Sequence, residues 1–127
     1  MTEFNDITYQ RDDIYCFDLD GTLCDTPPNV YPWNGAVPRV SRIKKVNELY
    51  DKGATIYLMT ARGFIHSTAI HDNIPDAQTE ADNFARSKTE AQLTKWGVKY
   101  HKLYFGKPRA VLYVDDRAMS DHEFFQD

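Results

Sequence analysis

The sequence predicts a three-layer α/β domain built around a mainly parallel sheet. Apolar runs of the length of a buried strand occur at four places along the chain: "IYCF", "ATIYLMT", "KLYFG" and "AVLYV". Helical periodicity appears between the first three runs, and the links are short. Strands that alternate with helices are typical of parallel sheets covered on both faces. We expect residues 1–127 to form a single domain, which is long enough to bury a core.

The first strand and the first helix have clear signals. Residues 14 to 18, "IYCFD", form a short apolar and aromatic run, and "DGT" closes it with turn residues. A connection rich in Pro and Asn, "TPPNVYPWNGAVP", follows. From Pro38 to Lys52 apolar residues recur on one helical stripe, with Pro38 near the start and Gly53 past the end. This segment is therefore predicted to be a helix.

The later strands are predicted from shorter patterns. Residues 54 to 60, "ATIYLMT", are almost continuously apolar, as in a parallel strand that is buried on both faces. The stretch "ARGFIHSTAIHDNIPDAQ" favours a short helix that stops before Pro75. "KLYFG" and "AVLYVDD" predict two more strands near the end of the chain.

A second long helix is predicted from its capping residues. Ser87 and Glu90 have the spacing of a capping box, which satisfies the first free N–H groups of a helix. Thr79 offers an earlier start for the same helix. We expect the helix to run to about Trp96 and to stop at Gly97.

The charge pattern narrows the possible partners. A net charge of -4 argues against broad binding to nucleic acid, which needs a basic surface. The charge is uneven, however. The segment from 86 to 109 has one acidic residue, Glu90, and seven basic residues: Arg86, Lys88, Lys95, Lys99, Lys102, Lys107 and Arg109. Such a segment is typical of a solvated helix face with its flanks, and the alternative is a surface that attracts an anionic substrate.

Compartment is predicted from what the sequence lacks. No basic-then-apolar leader opens the sequence, and no apolar run is long enough to span a bilayer. Cys16 and Cys24 lack the framework pattern of small secreted proteins, so we expect reduced thiols. These observations predict a soluble, cytoplasmic protein without a membrane partner.

Polar residues stand at the carboxyl end of every predicted strand. They are Asp18 and Asp20 after "IYCF", Thr60 after "TIYLM", Lys107 after "LYFG", and Asp115 with Asp116 after "VLYV". Ligands of open α/β sheets collect at the carboxyl ends of the strands. We therefore expect four carboxylates, a hydroxyl and an ammonium group at one edge of the sheet.

Several carboxylates in one small site need a counter-charge, because their repulsion raises their pKa values. A hard cation supplies it, and Mg²⁺ suits a site with few carboxylates and open water positions. A phosphate ester at this edge would meet the cation, Lys107, Thr60 and the N–H groups of the turn from Asp18 to Gly21. Arg62, two residues beyond Thr60, is close enough to clamp a phosphate bidentately. The residues predict phosphoryl transfer.

Four motifs, in this order, resemble the signature motifs of the haloacid dehalogenase superfamily: "FDLDGT", "YLMTAR", "FGKP" and "VDD". The resemblance spans residues 14 to 121. Members of this superfamily are predominantly Mg²⁺-dependent phosphatases with a Rossmann-like three-layer α/β/α fold. Many members insert a cap domain, but residues 22 to 37 leave no room for one, so this chain looks like a capless member.

The resemblance implies a role for each motif residue. Asp18 would be the nucleophile that forms an aspartyl-phosphate, and Asp20 would protonate the leaving oxygen and then activate water. An acid two residues after the nucleophile accompanies phosphoryl transfer in this superfamily and is lacking in the dehalogenases. Phosphoryl oxygens would be held by Thr60 and Lys107. The Mg²⁺ ligands would be Asp18, the main-chain carbonyl of Asp20 and the pair Asp115 and Asp116.

Three functions follow from these motifs. The first is hydrolysis of a small phosphorylated metabolite such as a sugar phosphate, because residues 93 to 125 look similar to small bacterial and phage proteins of the superfamily, some labelled as capsule or sugar-phosphate phosphatases. The alternative is a nucleotide or polynucleotide 3′-phosphatase, whose "TAR" and "VDDR" motifs look similar. The second alternative is a non-catalytic regulatory module, but this chain keeps Asp18, Asp20 and Lys107.

A capless site must exclude water by other means. The candidates are the flap "TPPNVYPWNG", a neighbouring subunit in a homo-oligomer, and a large substrate. Within the flap, Tyr31 and Trp33 are candidates for stacking on a sugar or a base. The alternative is that both aromatic residues only pack the loop down.

Overall fold

The computed structural model describes residues 13–28, 33–64 and 74–127, with side chains from residue 76 onward in the last range. These residues form a mixed α/β fold with five strands and three helices. In chain order the elements are β1 (Ile14–Phe17), β2 (Cys24–Asp25), β3 (Val37–Pro38), α1 (Val40–Asp51), β4 (Thr55–Thr60), α2 (Ile74–Trp96), β5 (Lys102–Phe105) and α3 (Asp121–Phe125).

The main sheet has three parallel strands in the order β1, β4, β5. β4 lies in the centre, with Phe17 of β1 opposite Leu58 and Phe105 of β5 opposite Thr60. Alternate residues of β4 are buried, among them Ile56 and Leu58. This arrangement confirms the prediction of a mainly parallel sheet, and it brings the carboxyl ends of all three strands to one edge.

The two long helices cover this sheet. α1 packs against β4, and α2 packs against β5. Their apolar residues join those of the strands in one core that includes Ile43 and Val46 of α1 and Ala81, Ala85 and Leu93 of α2. Among the described residues, none of the helices combines the length and the apolar character that a membrane crossing requires.

The predicted helix from Pro38 to Lys52 is confirmed as α1, with its start two positions later. α2 ends at Trp96 before Gly97, as predicted, but it begins at Ile74, well before Ser87 or Thr79. Pro75 therefore belongs to the first turn of α2 and does not end a preceding helix. The physical reason is that the first turn leaves its N–H groups unpaired, so proline costs little there. Residues 65–73 of the predicted short helix lie outside the described residues.

The prediction of a strand at "AVLYVDD" is wrong in this structure. The segment from 107 to 120 contains no strand or helix, and its apolar residues Val111, Leu112 and Val114 are exposed. Local contacts shape it: the Tyr113 hydroxyl donates to the carbonyl of Pro108, and the Lys107 ammonium lies 4.5 Å from the centre of the Tyr113 ring. An apolar run becomes a strand only when a neighbouring strand accepts its hydrogen bonds.

A small two-stranded ribbon closes the base of the flap. β2 pairs antiparallel with β3, with Cys24 opposite Pro38 and Asp25 opposite Val37. The half-buried Arg39 side chain strengthens this base, because its Nη2 lies 2.6 Å from Oδ1 of the exposed Asp25. The two ends of the flap are therefore held together next to the carboxyl end of β1.

Candidate active site

Asp18 is the first residue after β1, at the edge of the sheet where all three parallel strands end. Its Oδ1 accepts a hydrogen bond of 2.9 Å from the backbone N–H of Leu19. Its Oδ2 lies 3.5 Å from the Lys107 ammonium. Burial raises the pKa of Asp18, and the positive charge of Lys107 opposes this rise. Asp18 is therefore a half-buried carboxylate with one cationic neighbour.

Asp20 lies two residues further along the chain and has a different environment. The Arg62 guanidinium donates bidentately to it, with 2.9 Å from Nε to Oδ2 and 2.9 Å from Nη2 to Oδ1. The Thr26 hydroxyl also donates to Oδ1. Burial alone would raise the pKa of Asp20, but the hydrogen bonds and charge of Arg62 outweigh it and hold the pKa below its usual range.

Arg62 is buried, with 2% of its surface exposed, and it is held from several sides. Its Nη1 donates to Thr89 Oγ1 at 3.2 Å and to Gln92 Oε1 at 2.6 Å, both on α2. The Trp33 ring of the flap lies 5.1 Å from the guanidinium carbon. The predicted phosphate contact of Arg62 stays a prediction, because in this structure the guanidinium is occupied by Asp20 and α2.

Sequence reasoning missed Thr89 and Gln92. The two residues are three positions apart on α2, so they share a helix face, and both contact Arg62. Gln92 also donates from Nε2 to the carbonyl of Trp33 at 2.9 Å, which links α2 to the flap. The only sequence signal was this spacing of two polar residues within an amphipathic helix, and the same spacing is common on exposed faces.

Thr60 and Lys107 complete the sheet edge. Thr60, the last residue of β4, is buried, and its Oγ1 accepts a hydrogen bond of 3.1 Å from the backbone N–H of Arg62. The backbone N–H of Lys107 donates to the carbonyl of Thr60 at 3.2 Å, which fixes the start of the segment after β5. The structure therefore places Asp18, Asp20, Thr60 and Lys107 at one edge of the sheet, as the sequence predicts.

Gly21 supports the turn between the two acids and the flap. Its φ of +83° lies in the left-handed region that favours glycine. Its N–H donates to the carbonyl of Cys24 at 2.8 Å. The amide of Gly21 is therefore used within the turn in this structure, and its predicted contact with phosphate stays a prediction.

Asp115 and Asp116 are not brought to Asp18. Both are exposed in the segment after β5, and Oδ1 of Asp115 accepts a hydrogen bond of 2.9 Å from the N–H of Arg117. The reason is the missing fourth strand, which was predicted to carry them to the sheet edge. No group of three or more His, Cys, Asp or Glu side chains in the described ranges lies close enough together to hold a metal ion.

This arrangement does not fit a complete Mg²⁺ site. Both carboxylate oxygens of Asp20 accept hydrogen bonds from Arg62, so Asp18 supplies the one carboxylate of the described sheet edge that is not occupied by a guanidinium. A hard cation bound to protein requires more oxygen ligands or a bound phosphate. Mg²⁺ binding by Asp18, Asp20, Asp115 and Asp116 stays a prediction.

A cavity of about 220 Å³ opens at this edge. Its polar walls are Asp18, Asp20, Arg62, Arg109 and Tyr113. Arg109 and Tyr113 come from the segment after β5, and sequence reasoning did not assign either of them to the site. The signal that could have identified Arg109 is its position two residues after Lys107, within the basic segment.

The flap reaches the site through Trp33. Its ring lies over Arg62 and makes an edge contact with Phe84 of α2, with 6.2 Å between ring centres. These contacts agree with the alternative that Trp33 packs the loop down. Tyr31, the other aromatic candidate, lies outside the described residues.

Comparison with known proteins gives a structural relative. No protein-family model and no curated protein sequence matches this chain. The fold is similar to that of a Vibrio cholerae protein whose crystal structure was solved as an MCSG target, with a TM-score of 0.68 and 28% sequence identity. The similarity covers 90% of this chain and 88% of that chain, so it extends over nearly the whole α/β fold described above.

Proposed function

We propose that the protein is a cytoplasmic phosphomonoester hydrolase that acts through an aspartyl-phosphate on Asp18. The observation that carries the proposal is the pair of acids after β1 in unequal environments, Asp18 beside the Lys107 ammonium and Asp20 bound by Arg62, at the wall of one cavity. Two carboxylates with different surroundings are what a nucleophile and an acid–base group require.

The chemistry follows from these positions. A carboxylate oxygen of Asp18 attacks phosphorus, the bond from phosphorus to the leaving oxygen breaks, and Asp20 gives a proton to that oxygen. Asp20 then takes a proton from a water molecule, which attacks the phosphoryl group and frees Asp18 and inorganic phosphate. Lys107 and the Thr60 hydroxyl stabilise the charge on the transferring oxygens.

The charges of the two acids place a requirement on this mechanism. Burial raises the pKa of Asp18 and Arg62 lowers that of Asp20, whereas the first step needs an ionised Asp18 and a protonated Asp20. A bound phosphate dianion would change the state of Asp20 in two ways. Its negative charge raises the pKa of Asp20, and its oxygens compete with Asp20 for the Arg62 guanidinium. We expect the proton to reach Asp20 only when substrate is bound.

The first substrate class to test is a small phosphorylated metabolite such as a sugar phosphate. The basic segment from 86 to 109 is less open to a nucleic acid strand than its sequence indicates, because three of its seven cations face carboxylates. Arg86 pairs with Asp82 and Glu90, Lys99 with Asp51, and Lys107 with Asp18. A polynucleotide 3′-phosphatase therefore remains the second candidate.

The decisive experiment is a phosphatase screen of sugar phosphates, nucleotides and 3′-phosphorylated oligonucleotides. Wild-type protein should release phosphate from at least one class, and Asp18→Asn should lose about 10³-fold or more because the nucleophile is gone. Acid quenching during turnover, followed by peptide mass spectrometry, should find one phosphoryl group on the peptide that contains Asp18. Equal inactivity of the two proteins on every ester would end the enzyme proposal and favour a non-catalytic module.

Metal dependence belongs to the proposal as a prediction from the resemblance. Dialysis against EDTA should abolish phosphate release, and added Mg²⁺ should restore it. Asp115→Asn and Asp116→Asn, assayed across a range of Mg²⁺ concentrations, would show which acid contributes to the metal requirement. Activity that persists in EDTA would remove Mg²⁺ from the proposal and leave the roles of Asp18 and Asp20 to stand alone.

A further inference from the structure

The segment that follows β5 carries two cations close to the cavity, Lys107 and Arg109. Lys107 is fixed by its backbone bond to Thr60 and by the contact of its ammonium with the Tyr113 ring. Tyr113 in turn donates its hydroxyl hydrogen to the carbonyl of Pro108. Arg109 lies between these anchored positions, and it lines the same cavity as Asp18 and Asp20.

When Lys107 beside Asp18 is counted, the cations at the cavity outnumber the carboxylates among the described residues. Asp18 faces Lys107 and Asp20 faces Arg62, which makes two carboxylate–cation pairs. Arg109 is exposed, and no carboxylate of the described residues lies within 4.0 Å of its guanidinium. Among the residues that the structure describes, Arg109 is therefore the cation of the cavity wall that has no carboxylate partner.

The cavity is also small for a whole metabolite. Its volume of about 220 Å³ is below the range of about 300 to 1,000 Å³ that is usual for ligand pockets. A phosphoryl group at Asp18 already occupies part of this space. The rest of the substrate must extend past the rim, where Arg109 and Tyr113 are exposed.

We propose that Arg109 binds a second anionic group of the substrate, so that the preferred substrates are phosphomonoesters whose leaving group carries another phosphate or a carboxylate. The inference rests on the proposed function, since it takes the reacting phosphate to lie at Asp18. A guanidinium suits this task because it donates two parallel hydrogen bonds to phosphate or carboxylate oxygens. Arg109 is then a specificity residue, and Lys107 binds the oxygens of the reacting phosphoryl group.

Matched substrates separate these two roles. We would measure kcat/KM for a nucleoside 3′,5′-bisphosphate against the 3′-monophosphate, and for a hexose 1,6-bisphosphate against the 6-phosphate. Wild-type protein should prefer the bisphosphate in at least one pair. Arg109→Gln should reduce that preference roughly 10-fold to 100-fold, the range of one hydrogen-bonded charge pair. Arg109→Lys should retain part of the preference, and the change should appear mainly in KM.

Arg117→Gln is the matched control. Arg117 is an exposed arginine of the same segment, and it is not part of the cavity wall. Its replacement removes the same charge from the protein, so a long-range electrostatic effect would reduce the preference in both variants. We expect the ratio of bisphosphate to monophosphate activity to change only in the Arg109 variants.

Each other outcome is informative. If wild-type protein hydrolyses both members of each pair equally well, or if Arg109→Gln lowers activity on both by the same factor, Arg109 does not recognise a second anion. Calorimetric binding of the bisphosphate and the monophosphate to Asp18→Asn, with and without Arg109→Gln, tests the subsite without turnover. A bisphosphate preference that depends on Arg109 in binding, together with an inactive wild-type protein, would refute the proposed hydrolysis and leave the anion subsite standing. Absence of any preference in binding would overturn the inference itself.

Discussion

At the scale of single residues, the pair of Asp20 and Arg62 determines how the site is built. Arg62 is almost fully buried, and it donates to Asp20, Thr89 and Gln92 at once. Removing one member of a buried ion pair leaves the other without compensation, which costs about 3 to 5 kcal/mol when both are fully buried. Asp20→Asn leaves the buried Arg62 guanidinium without its carboxylate, so it should cost about 3 kcal/mol. Arg62→Met leaves Asp20, whose side chain is 32% exposed and therefore reaches water, so it should cost about 2 kcal/mol.

Chemical denaturation of the two single variants and the double variant measures this pair. The double variant should lose less than the sum of the two, with a coupling energy of at least about 1 kcal/mol at pH 7. The pKa of Asp20 is lowered in the folded protein, so the coupling is present above the pKa of the unfolded chain and is lost as the pH falls through the folded pKa. A coupling energy of zero at pH 7 would mean that Arg62 stabilises the protein by packing alone.

At the scale of elements, the link from β5 to the cavity depends on Gly106. Its φ is +97°, and a Cβ at this position would lie 2.5 Å from Cγ of Gln78 on α2. Gly106→Ala should therefore strain the turn, destabilise the protein by about 1 to 3 kcal/mol and displace Lys107, which comes next in the chain. Thermal unfolding together with the rate of phosphate release from a responsive substrate would show both effects.

Gly97→Ala provides the control for Gly106→Ala. Gly97 directly follows α2 and has a φ of +71°, but an added Cβ would meet nothing within 4 Å. It should show a smaller loss of stability, about 1 kcal/mol, and no change in the rate. If both variants lose equal stability and equal activity, the contact with Gln78 does not direct the segment after β5.

The same segment shows how far sequence patterns predict the elements. The strands β1, β4 and β5 and the helix α1 were predicted because each has an apolar pattern and terminal turn residues of its own. "AVLYV" has a strand-like pattern as well, but a strand also needs a partner, and the contacts between Tyr113, Pro108 and Lys107 were not readable from the pattern. The start of α2 was missed because Pro75 can either end a helix or lie in its first turn.

The candidate site was predicted to a similar extent. Asp18, Asp20, Thr60 and Lys107 follow directly from strand ends, so the parallel order of the sheet is enough to bring them to one edge. The partners of these residues depend on side-chain directions that no spacing encodes, which is why the bond from Arg62 to Asp20 was not foreseen. Arg109 and Tyr113 enter the cavity through the same irregular segment that the strand prediction misjudged.

At the scale of the whole molecule, Arg42 connects α1 to the last residues of the sequence. Its side chain is 3% exposed. Its Nη1 lies 2.6 Å from Oδ2 of Asp121, and its Nη2 lies 2.7 Å from Oδ1 of Asp127. The guanidinium carbon is 4.8 Å from the centre of the Phe125 ring. These contacts join residues about 80 positions apart and hold α3 against α1. Because these contacts occupy the Arg42 side chain, we expect its replacement to affect the stability of the fold and not the chemistry of the site.

Arg42→Met should lower the melting temperature by roughly 5 °C at pH 7, while Arg39→Met, which removes a more exposed arginine, should lower it by less than about 2 °C. Hydrogen bonds from Arg42 lower the pKa values of Asp121 and Asp127, so their contribution is present above the pKa of about 3.9 of an unfolded aspartate and is lost as the pH falls through the folded pKa values. The difference between wild-type protein and Arg42→Met should accordingly shrink as the pH is lowered from 7 to 3. Calorimetric scans at several pH values would measure it. A difference that stays constant over this range would assign the role of Arg42 to packing on Phe125 and not to its ion pairs.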